Sequence, residues 1–216
     1  MQVTQGRDGD PVGDAGGPSP EAAARPVSPR RPDGTSRAHQ LVVGRFALRE
    51  ALPRDARGVA ELHARAALEA SRRAAVPATL EPPSVDERES RWSEHLALPP
   101  GDDHFVLVAE APSSGEVAGF VAGGGSRDPD GKGDGEVYAL FVDPGRWGHG
   151  IGRLLLEGAV AALADASFAS ATIWVPEADT EARCFCTALG WMQDGHRRPT
   201  TSGVSGRSET RYRLRL

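Results

Sequence analysis

One stretch limits the possible folds more than any other: Glu136-Val137-Tyr138-Ala139-Leu140-Phe141-Val142-Asp143-Pro144-Gly145-Arg146-Trp147-Gly148-His149-Gly150-Ile151-Gly152-Arg153-Leu154-Leu155. Val137 to Val142 is apolar throughout, as in a central strand covered on both faces. Asp143-Pro144 ends it, and a glycine-rich turn follows. Ile151, Leu154, Leu155, Gly158, Ala159, Ala162 and Leu163 then mark one face of a helix. Strand, glycine turn and helix in that order make an anion site, because the turn's N–H groups and the helix N-terminus point at one place. The helix must lead to a second strand, parallel to the first, by a right-handed crossover.

The neighbouring segments supply that strand and the rest of a mixed α/β domain. Leu41, Val42, Val43, Phe46 and Leu48 read as a strand with Gly44 as a bulge. Asp55 is the expected N-cap of a helix carrying Val59, Leu62, His63, Ala66 and Ala70. Val85 to Leu98 reads as a second helix. His104 to Glu110 and Glu116 to Ala122 form a hairpin about Pro112-Ser113-Ser114-Gly115. Ala171 to Val175 is the strand after the crossover. Asp179 caps a helix with a stripe of Ala182, Phe185, Cys186 and Leu189, and Gly190 is its C′ residue. Trp191 and Met192 lead into a short strand, residues 199–208 form a loop, and Thr210 to Leu216 closes the chain. There Tyr212, Leu214 and Leu216 alternate with Arg211, Arg213 and Arg215, predicting a half-buried strand with one basic face. The order is β-α-α-β-β-β-α-β-α-β-β.

Residues 1–39 differ in kind. Prolines recur at 11, 18, 20, 26, 29 and 32 without apolar periodicity. Such a segment buries too little surface to offset its ordering entropy and is expected to be a disordered tail, leaving 40–216 as the domain. The net charge of -5 argues against a nucleic-acid partner. No apolar run is long enough for a membrane span, and no secretion signal is visible at the start. Cys184 and Cys186, the only cysteines, provide no disulfide framework, so a cytoplasmic setting is expected. Asp128-Pro129-Asp130-Gly131-Lys132-Gly133 superficially matches a calcium loop. Lys132 and Ala139 stand where ligands are needed, so the reading is a flexible loop without metal.

Three phosphate loops compete for the glycine turn. A P-loop requires Gly-Lys-Ser/Thr, whereas Gly152 is followed by Arg153-Leu154. A dinucleotide fingerprint requires G-x-G-x-x-G, whereas Gly148, Gly150 and Gly152 give G-x-G-x-G. The third fits. Val142-Asp143-Pro144 followed by Gly150-Ile151-Gly152 resembles the pyrophosphate loop of the GNAT N-acetyltransferase superfamily, Q/R-x-x-G-x-G/A, with Trp147 in the Gln/Arg position and Arg146 before it. Asp179 to Trp191 resembles the family's N-x-x-A-x-x-F-Y-x-x-x-G-F/W helix, with Asp179 for Asn and Cys186 for Tyr. The resemblance runs from about Phe46 to Leu216.

The resemblance implies a mixed, splayed sheet of about six to seven strands with about four helices. It implies an enzyme using acetyl-CoA as co-substrate and no metal. Pantetheine would enter between the strands ending at Val142 and Val175 and pair with the backbone of Leu140, Phe141 and Val142. A backbone N–H near Leu140 would polarise the thioester. Trp147, Gly148, His149, Gly150, Ile151, Gly152 and Arg153 would surround the pyrophosphate, and Asp179 would stand in the family's Asn position. Glu136 matches the acidic residue that many members use as base towards the amine. The family's tyrosine acid is Cys186 here, which reads better as a packed small hydrophobe, and Tyr138 is the alternative acid. His149 reads as an exposed loop side chain. Trp92, His95, Trp174 and Trp191 are candidates for the acceptor pocket, with core packing the favoured reading of each. The expected partner is a small-molecule or peptide amine, with the protein a monomer or homodimer. A non-catalytic acyl-CoA-binding module is the alternative.

Overall fold

The structure, a computed structural model, describes residues 2–3, 42–43, 46–73, 83–98, 104–111, 113–200 and 208–216. Seven strands carry the architecture: β3 (Phe46–Glu50), β4 (His104–Ala111), β5 (Glu116–Gly125), β6 (Gly135–Val142), β7 (Ser170–Pro176), β8 (Met192–Pro199) and β9 (Ser208–Arg215). Two strands of two residues, β1 (Gln2–Val3) and β2 (Val42–Val43), join them. The helices are α1 (Ala56–Arg73), α2 (Val85–Ala97), α3 (Ile151–Asp165) and α4 (Thr180–Ala188). From β3 onward the element order is the one read from sequence. All lie in one sheet, in the order β2-β3-β4-β5-β6-β7-β9-β8, with β1 on β6. Among the described residues only β6 and β7 pair in parallel, joined through α3 as the glycine turn required.

The sheet separates two apolar clusters. On one face Leu154, Leu155, Ala159 and Leu163 of α3, with Ala182 and Cys186 of α4, pack on Val137, Leu140, Val142, Ile173 and Val175. On the other, Val59, Leu62 and Ala66 of α1 pack on Val108, Val117, Phe120 and Phe141. β6 serves both clusters, which is why Val137 to Val142 is apolar.

Local chemistry sets the helix ends. Ser84 and Glu87 close a capping box at α2, each accepting the other's backbone N–H at 3.2 and 2.7 Å. Asp179 accepts the Ala182 N–H at 2.9 Å and caps α4, and Gly190 follows with φ +84°. Asp55 departs from expectation. It ends a 3-10 turn, Pro53–Asp55, and its carboxylate reaches back to the Leu52 N–H at 2.7 Å while binding Arg49. The proline turn displaces the helix start to Ala56, so Asp55 satisfies the entering chain rather than capping α1 as its first boundary residue.

Two other expectations change. Val42 pairs with Ala47 and Val43 with Phe46, so the chain reverses between Val43 and Phe46 into a hairpin instead of continuing through a bulge. Gly44 and the segment 201–207 lie outside the described residues, as does the expected 1–39 tail apart from Gln2–Val3. The basic face of β9 is unevenly covered: Arg211 keeps 1% of its accessible surface, Arg213 is half-buried and Arg215 is exposed. Aspartates of the loop 126–134 cover Arg211, as described below. Among the described residues no helix is long and apolar enough to cross a membrane.

Candidate active site

The glycine turn is built from its first residue. Asp143 accepts the Gly145 N–H at 2.9 Å and holds the 3-10 turn Pro144–Arg146, while Arg65 of α1 binds its other oxygen at 2.7 Å. Gly148 and Gly150 have φ of +81° and +80°, the left-handed region that side chains disfavour. Gly150 is the N-cap of α3, and the first intrahelical bond runs from the Leu154 N–H to its carbonyl at 3.0 Å. The N–H groups of Ile151, Gly152 and Arg153 therefore emerge from the helix end. This is a donor cluster of the kind an anion requires. His149 is exposed, with Nδ1 3.0 Å from the Trp147 carbonyl, and Arg153 is exposed beside Glu157. The Trp147 indole donates to the Val142 carbonyl at 3.0 Å, fastening the turn to the end of β6. Arg73, from the last turn of α1, lies 4.1 Å above that indole.

β6 and β7 part just before this turn. Their register pairs run only from Gly135 with Ala171 to Val137 with Ile173. Beyond Val137 the strands are not paired with each other, so a cleft opens towards Val142 and Val175. The backbone at Leu140 and Phe141 instead pairs with Val3 and Gln2. At the mouth of the cleft β6 is irregular: Ala122 faces Ala139 but Gly123 faces Val137, which makes Tyr138 the extra residue. The bulge explains how Val137 and Leu140 both reach the α3 cluster while Ala139 and Phe141 meet α1.

Glu136 and Tyr138 each hold the start of the loop 126–134, at Arg127 and Gly125. The Glu136 carboxylate, 1% exposed, accepts the Arg127 backbone N–H at 2.8 Å. Burial pushes its pKa above the ordinary carboxylate range; the Arg127 N–H opposes that shift and the Asp128 carboxylate adds to it. The Tyr138 hydroxyl donates to the Gly125 carbonyl at 2.5 Å, and the Arg127 guanidinium stacks 3.6 Å from its ring. Asp128 accepts from the Trp174 indole at 3.0 Å and from Arg211 at 2.9 Å. Arg198 stacks 4.2 Å from Trp174 and pairs with the buried Glu209 at 2.8 Å. Trp92 and His95 stand nearby on the same face, against Phe120 and His104 respectively. Trp191 does not join them, being buried in the α3/α4 cluster. Cys186 is in that cluster too, and burial pushes its thiol up to about 12.

Sequence reading missed the groups that hold Glu136 in place. Arg127 contributes a main-chain N–H, for which no residue type is diagnostic. Asp128, Asp130 and Asp134 had a readable signal, the alternating arginines of β9 with the opposite charge. Their contacts with Arg211 and Arg213 place a fixed scaffold where a loose loop was expected.

Comparison with known proteins agrees with this geometry. Residues 53–191 match the model of the acetyltransferase (GNAT) family. The chain belongs to the GNAT acetyltransferase family. It is an acetyl-CoA-dependent acetyltransferase of that family. No curated protein matches it in sequence. Among solved structures, a GCN5-related N-acetyltransferase from Kribbella flavida is similar at a TM-score of 0.61 and 19% identity, over 80% of this chain and 98% of that one. YncA of Salmonella typhimurium, solved with its cofactor acetyl-CoA, is similar at 0.59 and 18%, over 80% and 95%. The ribosomal-protein-S18-alanine N-acetyltransferase of Escherichia coli gives 0.56 and 18%, over 79% and 94%. These likenesses concern the fold, a mixed α/β sheet with GNAT topology. The GNAT turn and cleft of this protein suit acetyl-CoA: left-handed glycines clear the backbone, helix N–H groups face outward, and β6 separates from β7.

Proposed function

We propose that this GNAT protein transfers an acetyl group from acetyl-CoA to a primary amine by direct attack within a ternary complex. The observation that carries the reading is the buried Glu136 carboxylate at the head of the β6–β7 cleft, held by the Arg127 N–H. An amine is protonated at neutral pH and must lose a proton before attacking a thioester. A carboxylate whose pKa burial has raised is a better base for that task than an exposed one, acting directly or through water. Ile151, Gly152 and Arg153 N–H groups, with Gly148, His149 and Gly150 in the turn, are the proposed pyrophosphate site. The backbone of Leu140, Phe141 and Val142 is the proposed pantetheine edge, with an N–H near Leu140 directed at the thioester carbonyl. Trp147 and Asp179 border that path by fastening the turn and capping α4.

The proton for the departing thiolate is assigned to solvent. Tyr138 already donates to Gly125, and the Cys186 thiol at about 12 is a weaker acid than an ordinary thiol at ~8.5. The acceptor is a small-molecule or peptide amine, received on the face carrying Trp92, His95 and Trp174. We place the reaction in the cytoplasm on the protein's cysteine usage.

The test is CoA-thiol release from acetyl-CoA against polyamines, aminoglycosides, amino acids and N-terminal peptides, with propionyl-CoA as a second donor. Turnover with one amine class and its loss in Glu136→Gln are expected. The buried Cys186 in the tyrosine position favours a second reading, an acyl-CoA-binding module without turnover. Tight acetyl-CoA binding with no release across the panel would select it.

A further inference from the structure

Among the described residues four guanidinium groups stand around the glycine turn, and each holds a carboxylate. Arg65 binds Asp143, the residue that caps the turn, so that pair belongs to the turn's own framework. Arg146 binds Glu116 at the start of β5 and lies over Phe46, away from the β6–β7 cleft. Arg153 binds Glu157 one turn along α3. Arg73 is different in reach. It leaves the last turn of α1, crosses the Trp147 indole at 4.1 Å, and its Nη1 meets Glu181 in the first turn of α4 at 2.6 Å. One side chain thus joins α1, the glycine turn and α4, the segments bordering the end of the cleft.

Two features of this contact point to an anion. First, Trp147 occupies the loop position where the family pattern has Gln or Arg. The indole cannot donate into the turn, because its N–H is committed to the Val142 carbonyl. What it offers is an aromatic face, and that face holds a guanidinium. A cation missing from the loop's sequence is thereby restored in space from another helix. Second, the partner holding Arg73 is easily surrendered. Glu181 is 72% and Arg73 45% exposed, and ion pairs so open to water hold weakly. A phosphate takes a guanidinium through parallel charge-assisted hydrogen bonds and competes well with such a pair.

We propose that Arg73 is a phosphate ligand for coenzyme A, exchanging Glu181 for the nucleotide when acetyl-CoA binds. Stacking on Trp147 keeps the guanidinium in place during the exchange. Glu181 then acts as a stand-in anion that competes with the cofactor and sets its affinity. This rests on the glycine turn being the pyrophosphate site.

The experiment is calorimetric titration of the full chain with CoA and with 3′-dephospho-CoA at low salt, using Arg73→Ala, Arg73→Lys, Glu181→Gln and the double variant Arg73→Ala/Glu181→Gln. Melting temperatures report whether each variant is folded. Arg73→Ala is expected to weaken CoA about tenfold, with Arg73→Lys between it and the parent. Glu181→Gln is expected to tighten CoA, and to do nothing when Arg73 is already alanine. A deficit that persists with 3′-dephospho-CoA assigns the contact to the pyrophosphate; one that disappears assigns it to the 3′-phosphate. Parental CoA affinity in a folded Arg73→Ala variant would overturn the proposal, as would an equal Glu181→Gln effect in both backgrounds. A parent protein that binds no CoA would instead overturn the pyrophosphate reading of the turn.

Discussion

The Arg127 backbone N–H reaches the Glu136 carboxylate at 2.8 Å and ties the start of an acidic loop to the head of the central strand. That bond holds a carboxylate in place where burial disfavours its charge. The basic form is the active one in the proposed reaction, so kcat/KM should rise with pH through a pKa above the usual ~4.3 of glutamate. Glu136→Gln keeps an acceptor for the Arg127 N–H but cannot take a proton. It should lower kcat/KM by about 10²-fold or more and abolish the acidic limb of the profile. Its stability should move the other way. A carboxyl whose folded pKa is raised contributes most at low pH and loses that contribution as pH rises through the folded pKa. The neutral glutamine should therefore melt above the parent at pH 8. Full activity in a folded Glu136→Gln protein would remove Glu136 from the mechanism.

Arg211 anchors the far side of the same loop. Its guanidinium, 1% exposed, reaches Asp194 at 2.7 Å, Asp128 at 2.9 Å and Asp130 at 2.7 Å. Arg211→Met would strand these carboxylates against one another at the floor of the candidate acceptor site. Breaking such a buried pair costs about 3 kcal/mol, less where a partner such as the half-exposed Asp130 can rehydrate. Arg211→Lys should recover part of that, because it restores charge without the planar fork. Denaturant unfolding measures the loss. With the loop loosened, the Arg127 N–H leaves Glu136, and the acidic limb of the pH profile should move to higher pH in the lysine variant. An unmoved limb would separate loop anchoring from the chemistry.

What could be read from the chain follows how local each constraint is. Gly148, Gly150 and Gly190 were legible because a left-handed φ is a demand on one residue. Asp179 was legible because a cap reaches only three residues ahead. The parallel β6–β7 pair followed from a crossover rule with little freedom. The candidate site was half legible: Glu136 and the turn could be found, but not what holds them. Arg211 and Asp130 are 81 residues apart in the chain, so the arginines of β9 call for opposite charge without naming the loop that supplies it. Arg73 reaches Glu181 across 108 residues. The bulge at Tyr138 arises from the mismatch of two strands, so β6 alone does not reveal it.

His63 makes stability depend on pH at the acid end. It is buried on α1 among Phe141, Phe120 and Trp92, with ring centroids 4.5, 5.8 and 6.3 Å away. Burial, aided by the Arg88 charge, lowers its pKa from 6.5 to about 3. A histidine held neutral in the fold stabilises fully above its unfolded pKa. That contribution is lost as pH falls from about 6.5 towards 3, because the unfolded chain takes up the proton first. Between pH 6.5 and pH 5 the loss is about 2 kcal/mol. His63→Leu should flatten the profile over this interval, read as the denaturation midpoint at each pH. A parallel profile in the variant would show that other groups govern the acid limb.

The β6 edge carries a competing strand. Val3 and Gln2 pair antiparallel with Leu140 and Phe141, on the stretch where β6 has left β7. A strand edge accepts one backbone partner at a time, whether a peptide or the amide groups of a pantetheine arm. While β1 is seated, that stretch cannot also serve as the proposed pantetheine edge. Binding of acetyl-CoA must then displace β1, which weakens the apparent affinity by the fraction of molecules in which β1 is docked. A backbone hydrogen bond has a net value of about 1 kcal/mol, so if docking of β1 is worth one such bond after its ordering cost, removing residues 1–39 should tighten acetyl-CoA by about fivefold. Val3→Pro in the full chain removes a backbone donor without shortening the protein and should give part of the same gain. A synthetic peptide of residues 1–10 added to the truncated protein should reverse it. Equal affinities in the full and truncated chains would mean that β1 does not compete with the cofactor.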